Sequence, residues 1–250
     1  MTVPLEYGVP PPRGYSWGTN SAFDDWRAGS SRLACVSLDA ALARNAAWEV
    51  AEAKRARGGL ILAGVAVRYN VRHLTTSPAG DCMYDNFKTG CFTEFLTSGV
   101  RPTKFDRMHE HAGDRRYGGT DDGRLQLSDG PAALLFKLDI DETDSRSMGL
   151  FDQVLARSLP AASIGFFPAD FHFEEAGDGW KTRVVTEGWL GEISAVTHGA
   201  VPGTNCHAID ERYGQIDIRE TNLAAFNSAC AGAQVSTALG RLRDVLDRAA

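Results

Sequence analysis

The sequence predicts an α+β protein that is mainly β with a few helices, and three observations lead to this class. The chain has 250 residues, of which 43% are hydrophobic, and this is enough for one sizeable core. From residue 60 onward, many apolar segments are short and rich in β-branched and aromatic residues, as strands are. Helical apolar spacing is confined to a few segments. We therefore expect a mostly antiparallel β domain with one inserted helix over about 60–210.

The N-terminal region is predicted to contain an arm and a helix. Four prolines in the first 12 residues favour an extended arm over residues 1–36. A helix is expected to begin at Ser37, which can cap it, and to end at Gly58, with alanine dominating its interior. The predicted divisions of the chain are this arm, a folded domain over 37–210 with its core at 60–204, and a tail over 211–250.

Strands are predicted where apolar residues alternate with polar ones or form short buried runs. The segment "LILAGVAVRYNV" is rich in valine, "GRLQLSD" alternates, and "AALLFKLDID" has the run of a strand buried on both faces. The segment "WKTRVVTEGWLGEISAVT" returns to the strand pattern after a helix. In the same order, these predicted strands cover 60–71, 123–129, 132–141 and 180–197.

Two further segments place apolar residues on one helical face. In the segment 148–160 a proline follows the apolar stripe and ends the helix. In the tail, the stripe predicts a short amphipathic helix over 236–250. The stripes consist of Leu150, Phe151, Val154 and Leu155 in the first segment, and of Leu239, Leu242, Val245 and Leu246 in the second.

Composition excludes several classes of protein. The formal net charge of −6 disfavours a nucleic-acid-binding protein, because neutralising phosphates needs a basic surface. No segment approaches the roughly 18 apolar residues of a membrane span, and no basic region precedes an apolar run as in a secretory signal. The five cysteines are odd in number and form no CxxC pair. We expect free thiols in a reducing, intracellular compartment, and neither nucleic acid nor membrane as a partner.

Two histidines in "MHEHAGD" raise a question about chemistry. On a strand, His109 and His111 would share one face and could together bind a metal ion, with Asp114 close behind. Alternatively, one of them is the base that activates a nucleophile. Arg115 and Arg116 follow directly, and two cations disfavour a dication site. A metal-dependent hydrolase that uses His109 and His111 is kept as an alternative hypothesis.

Two polar side chains occur in otherwise apolar segments. Ser163 in "LPAASIGFFP" has the small neighbours Ala162 and Gly165, which permit a substrate backbone to approach a nucleophilic hydroxyl. Glu192 in "WLGEISAV" needs a partner, because burying an unpaired carboxylate is costly, and a histidine is a natural one. Each also has a structural interpretation, as a strand serine beside a bulge or as an inward charge at a strand edge.

Taken in chain order, five segments resemble the HK97-type prohead (capsid maturation) serine proteases of tailed bacteriophages. That family has a "G-x-A-x-x-Y/F-N" strand, a "G-x-F" segment, a histidine followed by "lG-x-T-x-x-G-x-L-x-L", then "S-x-G-F" and "L-x-E-v-S-x-V-T". The resemblance covers about 60–204. The matching segments are "GVAVRYN" at 64–70, "KTGCFTEFL" at 88–96, "HAGDRRYGGTDDGRLQL" at 111–127, "SIGF" at 163–166 and "LGEISAVT" at 190–197.

The resemblance implies a catalytic triad of His111, Ser163 and Glu192. In the family pattern the histidine stands seven residues before the glycine of "lG-x-T", so counting back from Gly118 selects His111 and leaves His109 as a structural neighbour. The implied mechanism is serine acyl transfer, in which the histidine takes the serine proton and the carboxylate orients the ring.

The chain departs from the family pattern in ways that leave the third triad member open. An acidic or amide residue usually follows the catalytic histidine, whereas Ala112 follows His111 here. Related herpesvirus proteases use a second histidine as the third member. His172 and His198 are therefore alternatives to Glu192.

The resemblance also implies a fold, a substrate and a place of action. We expect the herpesvirus-protease-like closed β-barrel surrounded by helices, a homodimer, and no cofactor. The expected substrate is the scaffolding part of the phage major capsid protein precursor and the protease itself, cleaved inside the prohead in the host cytoplasm. The alternative is an inactive relative that acts as a capsid-interior or scaffold-binding structural protein.

Overall fold

The computed structural model describes residues 58–76, 82–110, 116–175, 177, 179–213, 215–218 and 223–249, with side chains of the last helix described as far as Gly240. The predicted arm over 1–36 and the predicted helix that follows it lie outside the described residues. The mainly β, α+β class is confirmed, since the described strands outnumber the described helices.

The first sheet consists of four antiparallel strands in the order β10-β1-β7-β6. Three of the predicted strands form it together with a strand near the end of the domain. The central strand β1 is buried on both faces, which explains its unbroken apolar run. The bounds are β1 Leu60–Arg68, β6 Leu125–Asp129, β7 Ala133–Asp139 and β10 Asn205–Asp210.

The second sheet has six strands and is organised around the long strand β9. One edge of β9 pairs antiparallel with β8 over nearly its whole length. The other edge pairs in parallel with β3 near its start and with β4 near its end. The bounds are β2 His73–Thr76, β3 Cys82–Phe87, β4 Lys104–Arg107, β5 Gly118–Gly119, β8 Ala161–Glu175 and β9 Lys181–Val196. The two parallel pairs were not expected from the sequence.

Helix α2 (Ser145–Leu155) confirms the inserted helix. The carboxylate of Asp144 caps its start by accepting from the backbone N–H groups of Arg146 and Ser147. Three of the four predicted stripe residues are buried in the main core: Leu150, Phe151 and Val154. A shorter helix, α1 (Thr93–Ser98), was not predicted.

Helix α3 (Leu223–Ala249) is longer than the short helix predicted for the tail. It begins well before residue 236 because Phe226 and Cys230 pack against β1 and β10 and are almost completely buried. Leu239, predicted to lie on the apolar stripe, is 63% exposed. Among the described residues, no helix has the length and apolar character that a bilayer span requires.

Alternating residues of β1 contribute to two separate cores. Leu60 and Leu62 face a large core that also contains side chains of β7, β9 and α2. Ile61 and Ala63 face a smaller core beneath α3. Within the described residues the strands form two sheets and no closed ladder, so the closed barrel stays a prediction.

Candidate active site

Strands β8 and β9 bring Ser163 next to Glu192 on the second sheet. Ser163 lies directly opposite Ser194 in the antiparallel ladder, and Gly165 lies opposite Glu192. Facing residues of such a pair have Cα atoms about 4.5–5.5 Å apart and point to the same side. Because Glu192 and Ser194 are two residues apart on one strand, they share that side as well. Ser163 is half-buried, whereas Ser194 has no solvent exposure.

The turn that follows strand β4, which pairs with the other edge of β9, places a histidine on the same face. Asp106 pairs in register with Ser194, and the chain then turns at Met108 and His109, whose φ angles are 52° and 54°. The N–H of Met108 donates to the carbonyl of Ala195 at 3.0 Å. The N–H of His109 donates to the hydroxyl of Ser194 at 3.3 Å. The turn therefore directs His109 back over the strand that carries Glu192.

The ring of His109 is hydrogen-bonded to the carboxylate of Glu192. Its Nδ1 lies 2.6 Å from Oε1 of Glu192, and the Ser194 hydroxyl donates to the same oxygen at 2.6 Å. The Glu192 side chain is 9% exposed, so these two donors compensate for the burial of its charge. A carboxylate can only accept from Nδ1–H, and this tautomer leaves a lone pair, and with it the capacity to accept a proton, on Nε2.

The structure brings together two of the three predicted triad residues and adds His109. Ser163 and Glu192 lie near each other on neighbouring strands, as a common site requires. His111, to which the sequence analysis assigned the role of base, lies outside the described residues. His109, expected to be a structural neighbour, has its ring on Glu192.

One signal in the sequence could have indicated His109. The family pattern usually has an acidic or amide residue after the catalytic histidine, and Glu110 follows His109, whereas Ala112 follows His111. The spacing to Gly118 selects His111 only if the loop between them has a constant length in the family, and a loop can gain two residues without displacing the strand that precedes it.

The two histidines considered as alternatives to Glu192 are both exposed, His172 on strand β8 and His198 just after strand β9. His172 is exposed and lies 3.3 Å from Glu174. It pairs in register with Val184, eight residues before Glu192 on β9, and eight strand residues span roughly 26 Å. His198 is exposed and follows the end of β9. Glu192, by contrast, is hydrogen-bonded to the ring of His109.

The metal hypothesis receives no support from the described part of the chain. No group of three or more histidine, cysteine, aspartate or glutamate side chains there could hold a metal ion. Nδ1 of His109 is hydrogen-bonded to Glu192. His111 and Asp114 lie outside the described residues, so the alternative is left to a solution test.

Cysteines were predicted to be free thiols, and those within the described residues are unpaired. Burial raises the pKa of the Cys91 and Cys230 thiols to about 12, and a nearby Asp129 adds to the effect at Cys91. Burial also raises the pKa of Cys206. Because the thiolate is the reactive form, these three side chains are poor nucleophiles near neutral pH. Cys82 is exposed.

A histidine held by a buried carboxylate, beside a half-buried serine on the adjoining strand, is typical of the serine hydrolase class. The chain belongs to the caudovirus prohead serine protease family, whose family model matches residues 47–217. The resemblance found in the sequence is thereby confirmed. A search of curated proteins finds no match.

Proposed function

We propose that this protein is a serine endopeptidase of phage capsid maturation, with Ser163 as nucleophile, His109 as base and Glu192 as the residue that orients the base. The observation that carries the proposal is the 2.6 Å hydrogen bond between His109 and Glu192, on the face of the sheet that also holds Ser163. Membership of the prohead serine protease family supports the same function.

In this mechanism, Nε2 of His109 accepts the proton of the Ser163 hydroxyl as its oxygen attacks the scissile carbonyl carbon. The tetrahedral intermediate collapses when the imidazolium returns the proton to the leaving amine. A water molecule, deprotonated by the same nitrogen, then attacks the acyl carbon, and the imidazolium returns the proton to the Ser163 oxygen as the acyl–oxygen bond breaks. The hydrogen bond to Glu192 keeps the proton on Nδ1 of His109 throughout, and the carboxylate stabilises the imidazolium.

His111 is the competing assignment for the base. It follows from the spacing to Gly118 in the family pattern, whereas His109 is supported by its hydrogen bond to Glu192 and by the acidic residue that follows it. The two assignments differ in the residue whose replacement stops the reaction.

The proposed substrate is a polypeptide of the immature phage capsid. Prohead proteases act on capsid proteins, so the scaffolding segment of the major capsid protein precursor and the termini of the protease itself are the candidate substrates. The reaction would take place inside the procapsid, in the host cytoplasm. A homodimer stays a prediction, and so does the absence of a cofactor.

Covalent labelling tests the proposed function. We expect a fluorophosphonate to label the purified protein, and tryptic mass spectrometry to locate the adduct on Ser163. Ser163→Ala should abolish both labelling and cleavage of a co-expressed capsid precursor. The matched control is Ser236→Ala, since Ser236 is an exposed serine on α3. A folded wild-type protein that neither labels nor cleaves would favour the inactive, scaffold-binding relative.

A further inference from the structure

Ser194 is a second serine at the site, and it contacts two members of the proposed triad. Its hydroxyl donates to Oε1 of Glu192 at 2.6 Å and accepts from the backbone N–H of His109 at 3.3 Å. Its side chain has no solvent exposure. One oxygen atom therefore links the acid on β9 to the backbone of the histidine that follows β4.

The link to His109 acts at a backbone position that needs support. Met108 and His109 both have positive φ, a conformation that residues other than glycine rarely adopt. Such a conformation persists only when surrounding contacts hold it. The hydroxyl of Ser194 and the carbonyl of Ala195 accept from the two successive N–H groups of this turn. Strand β9 thus holds the turn that directs the imidazole towards Glu192.

The link to Glu192 acts on the carboxylate itself. Ser194 and Nδ1 of His109 donate to the same oxygen, Oε1, so the carboxylate is held from two directions. Rotation of the Glu192 side chain away from the ring would break both hydrogen bonds. Without the hydroxyl, Oε1 of Glu192 would lose one of these two donors, and the carboxylate would be held less firmly against the imidazole.

Ser194 does not have the surroundings of a nucleophile. It is completely buried, and its proton is donated to Glu192, whereas Ser163 on the adjoining strand is half-buried and so partly accessible. We propose that Ser194 is a positioning residue, which holds both the Glu192 carboxylate and the backbone of His109 so that the imidazole faces Ser163. The inference rests on the proposed function and adds to the three proposed catalytic residues a fourth residue that positions two of them.

Fluorophosphonate labelling of the full chain tests this role. We expect Ser194→Ala to lower the limiting labelling rate ~10- to 100-fold, because a misplaced base loses most of its effect, with little change in the reagent concentration that gives half the maximal rate. Ser194→Cys, which retains a weak donor of similar size, should label at a rate between those of Ser194→Ala and the wild type.

Thr237→Val is the matched control for the loss of a buried hydroxyl. Thr237 is also fully buried, accepts from the N–H of Asp210 at 2.9 Å and donates to the carbonyl of Ala233, but it lies on α3. We expect it to lower the melting temperature as Ser194→Ala does, and to leave the labelling rate unchanged.

Three results would overturn the inference: wild-type labelling by Ser194→Ala, equal slowing by Thr237→Val, or an adduct on Ser194 itself. A folded wild-type protein that neither labels nor cleaves would refute the proposed function instead, so the two failures are distinguishable.

Discussion

Nδ1 of His109 and Oε1 of Glu192 lie 2.6 Å apart, although 83 residues separate them in the chain. The contact arises because β4 and β9 pair in parallel, so that the turn after β4 reaches the face of β9 that carries Glu192. A serine on the third strand, β8, completes the group.

The first prediction identifies the base. His109→Ala should lower the rate of Ser163 labelling by about 10³-fold or more, because the serine loses its general base. His111→Ala should have a small effect and is the natural control, since it removes the same side chain two residues away. The rates are compared at saturating fluorophosphonate. The opposite ranking would assign the base to His111 and would leave His109 as a structural residue.

The second prediction concerns the acid. Glu192→Gln retains the shape of the side chain but can offer its N–H₂ group to Nδ1, which favours the wrong tautomer of His109. We expect a fall of roughly 10²- to 10⁴-fold in kcat, and a much smaller change in KM, for a peptide spanning a mapped cleavage site. Glu174→Gln, at the exposed partner of His172, is the control. Unchanged turnover in Glu192→Gln would remove Glu192 from the triad.

The third prediction is that chelation has no effect. If "MHEHAGD" supplies a base and not metal ligands, prolonged dialysis against EDTA should leave the labelling rate and the melting temperature unchanged. Elemental analysis of the purified protein provides the control for bound metal. If the purified protein contained stoichiometric zinc, lost its activity together with the zinc and regained it when zinc was added back, the metal-dependent hydrolase would be the better hypothesis.

The fourth prediction concerns pH and stability. Burial lowers the pKa of His207 below its ordinary 6.5. The hydrogen bond that its Nδ1–H donates to Oε1 of Gln234 opposes this, and the neighbouring Arg157 adds to the lowering. At pH values between the pKa of His207 in the folded protein and 6.5, the unfolded chain therefore binds a proton at this residue that the folded protein does not bind. His207 therefore makes its full contribution to the free energy of unfolding above pH 6.5, and this contribution decreases as the pH falls below 6.5.

Urea unfolding at pH 7.5 and 5.5 measures this dependence. We expect the midpoint to be lower at the acidic pH in the wild type, and the difference to be smaller in His207→Gln. His172→Gln removes an exposed histidine and should retain the wild-type difference. An equal pH dependence in all three proteins would contradict the role of His207.

The sequence by itself was sufficient to predict much of the fold and to single out two residues of the proposed site. The strands β1, β6, β7 and β9 and the helix α2 follow from apolar periodicity, because burial on one or both faces of an element leaves a local pattern. Ser163 and Glu192 stood out because each is polar within an apolar segment. Family membership could be inferred from motif order, which does not require knowledge of the contacts.

Only the tertiary structure showed that His109 contacts Glu192. His109 reaches it through a parallel strand pairing and a turn with two consecutive positive φ angles, neither of which has a period or a motif in the sequence. The early start of α3 was also decided in this way, since Phe226 and Cys230 are buried against β1 and β10. The physical reason is the same in both cases: contacts between residues far apart in the chain stabilise a local conformation that the neighbouring residues do not specify.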